Sequence, residues 1–145
     1  MPIRPRAVRA LVDVRERLRD AAAASHAAAS TAREATQLAL VEEETQLERH
    51  VDDAAQVLGG ARTVYDLDRY AESTGVYRFA IADAAALVDE ATAATQITAN
   101  TLRDSTRKLR SAEKIAETVK TTRDRLEASA EQLANDDMAC SRRAR

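Results

Sequence analysis

From Arg6 to Arg145 the chain contains no proline, and its three glycines, Gly59, Gly60 and Gly75, fall within one short stretch. Proline in a helix interior removes a hydrogen bond and clashes with the preceding turn, and glycine is the other common stop signal. A chain lacking both over two long runs can propagate helix through each of them. The stretch between, GGARTVYDLDRYAESTGVYRF at 59–79, also holds all four aromatic residues, Tyr65, Tyr70, Tyr77 and Phe79. The sequence therefore predicts two long arms joined by one breakable, aromatic segment.

Composition supports helices and argues against a large core. The chain is 45% hydrophobic, but that share is largely alanine, aromatics are 3% and tryptophan is absent. Alanine is the best helix former and brings little core volume. Charge is high at 32% and mixed in sign, the signature of long helices or a coiled coil. A net charge of −2 lacks the basic excess of a dedicated nucleic-acid binder. The single cysteine, Cys140, excludes an intramolecular disulfide framework, and a weakly packed thiol is expected there. No apolar run resembles a signal peptide or spans a bilayer, so a soluble intracellular protein with no membrane insertion is expected.

In the first arm, residues 6–58, apolar positions recur at Leu11, Val14, Leu18, Ala21, Ser25, Ala28, Ala32 and Ala35, and then at Leu40, Leu47, Val51, Ala54 and Leu58. Each half alternates steps of three and four, the pattern of a heptad seam, and the halves are offset by a stutter near Ala32–Thr36. The middle, AAAASHAAAS, carries almost no bulk. Each alanine there contributes about 2 kcal/mol less than a leucine would, at about 0.8 per buried CH₂. It reads either as a close-packed alanine seam or as a pliable hinge. His26 and His50 are too far apart on one helix to share a metal ion and read as solvated or rim residues.

In the second arm the seam runs without a skip from Tyr77 through Ile81, Ala84, Val88, Ala91, Thr95, Thr98, Leu102, Ser105, Leu109, Ala112, Ala116 and Val119 to Arg123, Leu126, Ala130 and Leu133. Polar residues in a seam can fix register at a cost in stability. Asp104–Lys108, Glu117–Lys120 and Arg123–Glu127 stand at ion-pair spacing. Arg103, Arg107, Lys108, Arg110 and Lys114 form a basic band, either a solvated face or a contact for an acidic partner.

At about 1.5 Å per residue each arm is on the order of 75–100 Å long, and it must cover its seam against the other arm or another chain. The predicted fold is all-α: two long helices in an antiparallel coiled-coil hairpin with an aromatic tip, as a single domain. Its parts are an arm at 6–58, a turn at 59–76, an arm at 77–140 and a frayed tail at 141–145. A turn at Gly59–Gly60 alone would leave residues after about 117 unpaired beyond the N-terminus. The reading favoured here begins the turn at Gly59 and adds a short tip helix over Ala61–Glu72, because Gly75 is a second stop signal. The sequence contains no P-loop, no cysteine or histidine cluster and no catalytic constellation, so no enzyme and no cofactor is expected.

The segments VRALVDVRERLRDAAAA, DLDRYAE and LRDSTRKLRSAEKIAETVKTTRDRLEASAEQLANDDMA, with Arg103, Arg107 and Leu109, resemble the FliJ/YscO family of bacterial type III export proteins. The resemblance covers nearly the whole chain and implies a two-helix antiparallel coiled coil. It also implies a cytoplasmic central-stalk component of a flagellar or injectisome export ATPase complex, peripherally associated with the inner-membrane export apparatus. Such a protein promotes assembly of the ATPase hexamer and contacts the export-gate membrane protein and export chaperones. Carried onto this chain, the gate surface near the tip falls at Leu47, Tyr70, Tyr77, Ile81 and Ala84. The ATPase-ring surface falls at the Arg-rich ends, at Arg15, Arg19, Arg123 and Arg125. Where the family has tyrosines on its first helix, this chain has His50 and Ala54, and glutamine is sparse in the second arm. The expected state is a monomer or weak homo-oligomer. The alternatives are a self-assembling structural coiled coil, which would form a stable oligomer, and a compact helical-bundle regulator or effector chaperone.

Overall fold

A computed structural model describes residues 5–60 and 63–143; for Pro5, Leu58 and residues 139–143 it describes the backbone alone. Cys140 thus lies outside the described side chains, and residues 144 and 145 of the expected tail lie outside the described residues. The chain forms α1, Pro5–Leu58, and α2, Val64–Arg143. The two helices pack against each other as a hairpin, 98% of the described residues are helical, and no strand occurs among them. Pro5 opens α1 at the position where its missing N–H is no loss.

The turn is short. The Gly59 N–H donates to the Ala55 carbonyl at 3.3 Å and the Gly60 N–H to the Val57 carbonyl at 3.0 Å, tightening the last turn of α1. Thr63 then caps α2: its hydroxyl oxygen accepts from the Asp66 N–H at 3.3 Å, and the hydroxyl donates to the Asp66 carboxylate at 2.7 Å. Asp66 also places negative charge in the first turn, where the helix dipole favours it.

This start removes the expected tip helix. Gly75 does not stop anything: no described glycine has a positive φ, so no left-handed cap forms, and α2 runs unbroken from Val64. One interior glycine costs about 1 kcal/mol relative to alanine, too little to end a helix whose flanking turns pack on a partner. The segment read as a turn to residue 76 is therefore largely helix. It carries its aromatics along the first turns of α2, and no aromatic residue stands in the turn itself.

The chain divides into two compact units, one of Met1–Ala22 with Leu102–Arg145 and one of Ala23–Thr101. In the second unit the helices pair antiparallel. The Thr95 hydroxyl reaches the Ala29 carbonyl at 3.2 Å, and Thr98 Oγ1 lies 3.2 Å from His26 Nδ1; both pairs of residue numbers add to 124. Thr95 and Thr98, polar residues in an otherwise apolar seam, are thus the residues that tie the register across the helices. His26 is not a solvated residue but a member of the seam.

In the first unit Val8, Ala22, Leu109 and Ala112 are buried. On α2 the buried and half-buried residues follow the predicted seam as far as Val119, and from Thr121 to Met138 every residue is exposed. A turn at Gly59–Gly60 leaves that stretch of α2 beyond the start of α1.

The seam of α1 differs from the sequence reading. Apart from Ala23, Ser30, Thr45 and Gln46, which flank them, the buried or half-buried positions run Val8, Val12, Arg15, Arg19, Ala22, His26, Ala29, Thr36, Leu40, Glu43, Leu47, His50 and Ala54. They keep one heptad phase, so no stutter occurs. Leu11, Val14 and Leu18, read as seam, are 38%, 52% and 50% exposed. Arg15 and Arg19 take the seam positions instead, where their long aliphatic stems can cover apolar surface, with Arg19 Nε itself buried.

Candidate functional site

The first candidate surface lies beside the turn, in the second unit. His50 projects from α1 toward the start of α2. Its ring stacks on Tyr70, with centroids 5.1 Å apart and planes at 19°, and meets Tyr77 at 4.9 Å and 37°. Its Nε2 lies 2.9 Å from Ser73 Oγ. Residues 70, 73 and 77 occupy one face of α2 because three- and four-residue steps return to the same side of a helix. An open groove of about 410 Å³ adjoins this cluster, lined by Asp53, Val57, Asp66 and Arg69 among others.

All five residues expected at this surface, Leu47, Tyr70, Tyr77, Ile81 and Ala84, are half-buried. They belong to the packing between helices more than to an open apolar row. The exposed apolar residues are others: Val64, Tyr65, Val76 and Phe79, of which Phe79 is 75% exposed. Tyr65, Val76 and Phe79 share a face of α2 that is turned away from the seam, since they recur at eleven- and three-residue steps. The sequence held the signal for Val76 and Phe79, because neither falls on the seam of the second arm.

The second candidate surface is the end of the first unit. Arg15 and Arg19 are half-buried on α1, whereas Arg123 and Arg125 are exposed on the unpaired part of α2. Arg19 Nε stands 2.9 Å from the Asp20 carboxylate, an ion pair without hydrogen-bond geometry. Arg123 donates to Glu127 at 2.5 Å. That hydrogen bond, and then the charge of the carboxylate, hold the Arg123 guanidinium above its ordinary pKa. Asp104 pairs with Arg107 at 3.9 Å in place of the expected Lys108. Where α1 begins, a groove of about 440 Å³ opens between Val8, Arg9, Ala116, Val119 and Arg123.

No group of three or more metal-ligating side chains occurs among the described residues. No helix among them is long and apolar enough to cross a membrane. The second unit offers an aromatic and apolar face near the turn, and the first unit offers an exposed, charged stretch of α2.

A family model described as the flagellar FliJ protein matches residues 6–145. No curated protein and no solved structure matches the chain.

Proposed function

The chain belongs to the flagellar FliJ protein family, and from that premise we propose that it is the central-stalk component of a protein-export ATPase complex. The family is a structural, coiled-coil component of flagellar export and not an enzyme. In the proposed role this chain promotes assembly of the ATPase hexamer, links it to the export-gate membrane protein, and engages export chaperones. It works in the cytoplasm, held peripherally at the inner-membrane export apparatus.

The observation that carries this reading is the exposed end of α2. Residues 121–138 are exposed throughout, and a helix that runs past the start of α1 over that length presents side chains on every face to whatever surrounds it. Arg15, Arg19, Arg123 and Arg125 are the proposed contacts with the ATPase ring. Leu47, Tyr70, Tyr77, Ile81 and Ala84 are the proposed contacts with the gate. Because these five are half-buried, the exposed Val76 and Phe79 beside them supply the accessible apolar area such a contact needs.

The test is purification with the cognate export ATPase. The expected result is co-elution and faster ATP turnover in the presence of this chain, weakened by Arg123→Glu with Arg125→Glu. Absence of both binding and any change in turnover overturns the reading.

A further inference from the structure

The first unit carries two exposed apolar stripes of opposite electrostatic character. On α1, Leu11, Val14 and Leu18 stand on one face at steps of three and four, outside the seam and 38–52% exposed. Leu11 lines a groove of about 260 Å³ between the helices, with the half-exposed Ile115 in the same groove and Arg15, Arg107 and Lys108 around it. Its charged lining is entirely basic. On α2, beyond the start of α1, Leu126 and Leu133 lie one heptad apart and are about two-thirds exposed, at 67% and 65%. Glu127, Glu131 and Asp136, between and after them, are acidic and exposed; Arg123 and Arg125 precede Leu126, and Arg123 pairs with Glu127, but acidic residues outnumber basic ones over 121–138.

We propose that the acidic, leucine-striped tail of one copy of this chain docks in the basic groove of a second copy, reciprocally, so that two chains associate through their first units. An amphipathic helix laid in an apolar groove is a standard recognition mode, read as anchors at seven-residue spacing. Leu126 and Leu133 match the spacing of Leu11 and Leu18. Charge complementarity selects the orientation and disfavours groove-to-groove or tail-to-tail pairing, which would juxtapose like charges. The tail cannot fill the groove of its own chain, because it continues α2 without a break to Arg143. Continuity points the same way: the seam that α1 covers up to Val119 continues past it, uncovered, through Leu126, Ala130 and Leu133. A reciprocal contact is closed, so it stops at two copies rather than growing into a filament. The proposal does not depend on the export role.

The experiment is analytical ultracentrifugation of the full chain with two variants. In the groove variant, Arg107→Glu and Lys108→Glu reverse the rim; in the tail variant, Leu126→Ser and Leu133→Ser remove the anchors. All four residues are exposed or in the exposed tail, and circular dichroism confirms that each variant remains helical. The wild-type chain is expected to dimerise reversibly over about 10 µM to 1 mM, the range of a small interface. Each variant alone is expected to dimerise at least about tenfold more weakly. An equimolar mixture of the two is expected to associate more tightly than either variant alone and more weakly than the wild type, since it restores one of the two reciprocal contacts. A wild-type chain that is monomeric throughout overturns the proposal. So does a dimer indifferent to either variant, or a mixture that associates no more tightly than the variants do alone.

Discussion

His50 of α1 stacks on Tyr70 of α2 at 5.1 Å with the ring planes 19° apart, making a ring-to-ring lock between the helices a few turns above the glycine turn. Tyr77 meets the other side of the cluster at 4.9 Å and Ser73 supplies a hydrogen-bonding hydroxyl to Nε2 at 2.9 Å. A turn built on Gly59 and Gly60 needs no aromatic residue. The four aromatics therefore divide between two tasks. Tyr70 and Tyr77 bind the helices together, while Tyr65 and Phe79 are exposed.

That division predicts different costs for aromatic truncations. Tyr70→Ala and Tyr77→Ala should each lower stability by about 1–3 kcal/mol, from lost ring pairing and lost burial. His50→Ala should fall in the same range, because it removes both ring contacts at once. Phe79→Ala should change stability by less than about 0.5 kcal/mol. Urea unfolding followed by circular dichroism at 222 nm measures all four.

Gly75→Ala should stabilise the chain by about 0.5–1 kcal/mol. The glycine sits inside α2 with a helical backbone, and an added Cβ would meet nothing within 4 Å. A loss of stability on this substitution would mean that residue 75 adopts a turn conformation instead. The readout is the denaturation midpoint, compared with Gly59→Ala, where the new methyl would lie 3.6 Å from the Ala55 and Gln56 carbonyl oxygens.

The phase of α1 is tested by paired leucine truncations. Leu109 is buried and Leu18 is half exposed. Leu109→Ala should cost roughly 2–5 kcal/mol, the transfer of the side chain plus the cavity it leaves. Leu18→Ala should cost about 1 kcal/mol or less, because most of what it removes is already in water. Equal costs would restore Leu18 to the seam. Ala112, the most buried residue described at 3% exposure, has no room for growth, and Ala112→Leu should destabilise by about 1–3 kcal/mol through overpacking.

The two helices differ in how plainly the sequence declares their packing face. On α2, Ile81, Val88, Leu102, Leu109 and Val119 mark a single phase with bulky side chains, and burial follows it residue by residue. On α1 the alanine run from Ala21 to Ala29 fits more than one phase, since alanine is as acceptable outside a seam as in it. Leu11, Val14 and Leu18 then draw the reading one step off. The true seam there contains Arg15, Arg19, His26 and Glu43, residues that no apolar pattern selects. The glycines overstate the turn for a related reason. Gly75 is a stop signal only when the backbone goes left-handed, whereas the start of α2 is marked by the two-residue Thr63–Asp66 cap, a pair that glycine spacing does not point to. The proposed contact residues near the turn were legible as apolar, but their burial depends on the register between helices, which Thr95 and Thr98 set from a distance.

Removing residues 121–145 should leave the paired helices nearly as stable as before. Every residue from Thr121 to Met138 is exposed, and the Arg123–Glu127 pair acts within the helix only. An exposed i,i+4 pair acts within its own segment and adds nothing to the seam. A single helix without a packing partner owes its stability to propensity alone and is marginal at this length. The denaturation midpoint of the truncated chain at low micromolar concentration should therefore match that of the full chain to within about 0.5 kcal/mol. Amide hydrogens in 121–138 of the full chain should exchange far faster than those around Leu109 and Ala112, because the exposed stretch opens without disturbing the buried seam. Exchange that is equally slow in both segments, at a concentration where the chain is monomeric, would show that the end of α2 is covered by something within the chain itself.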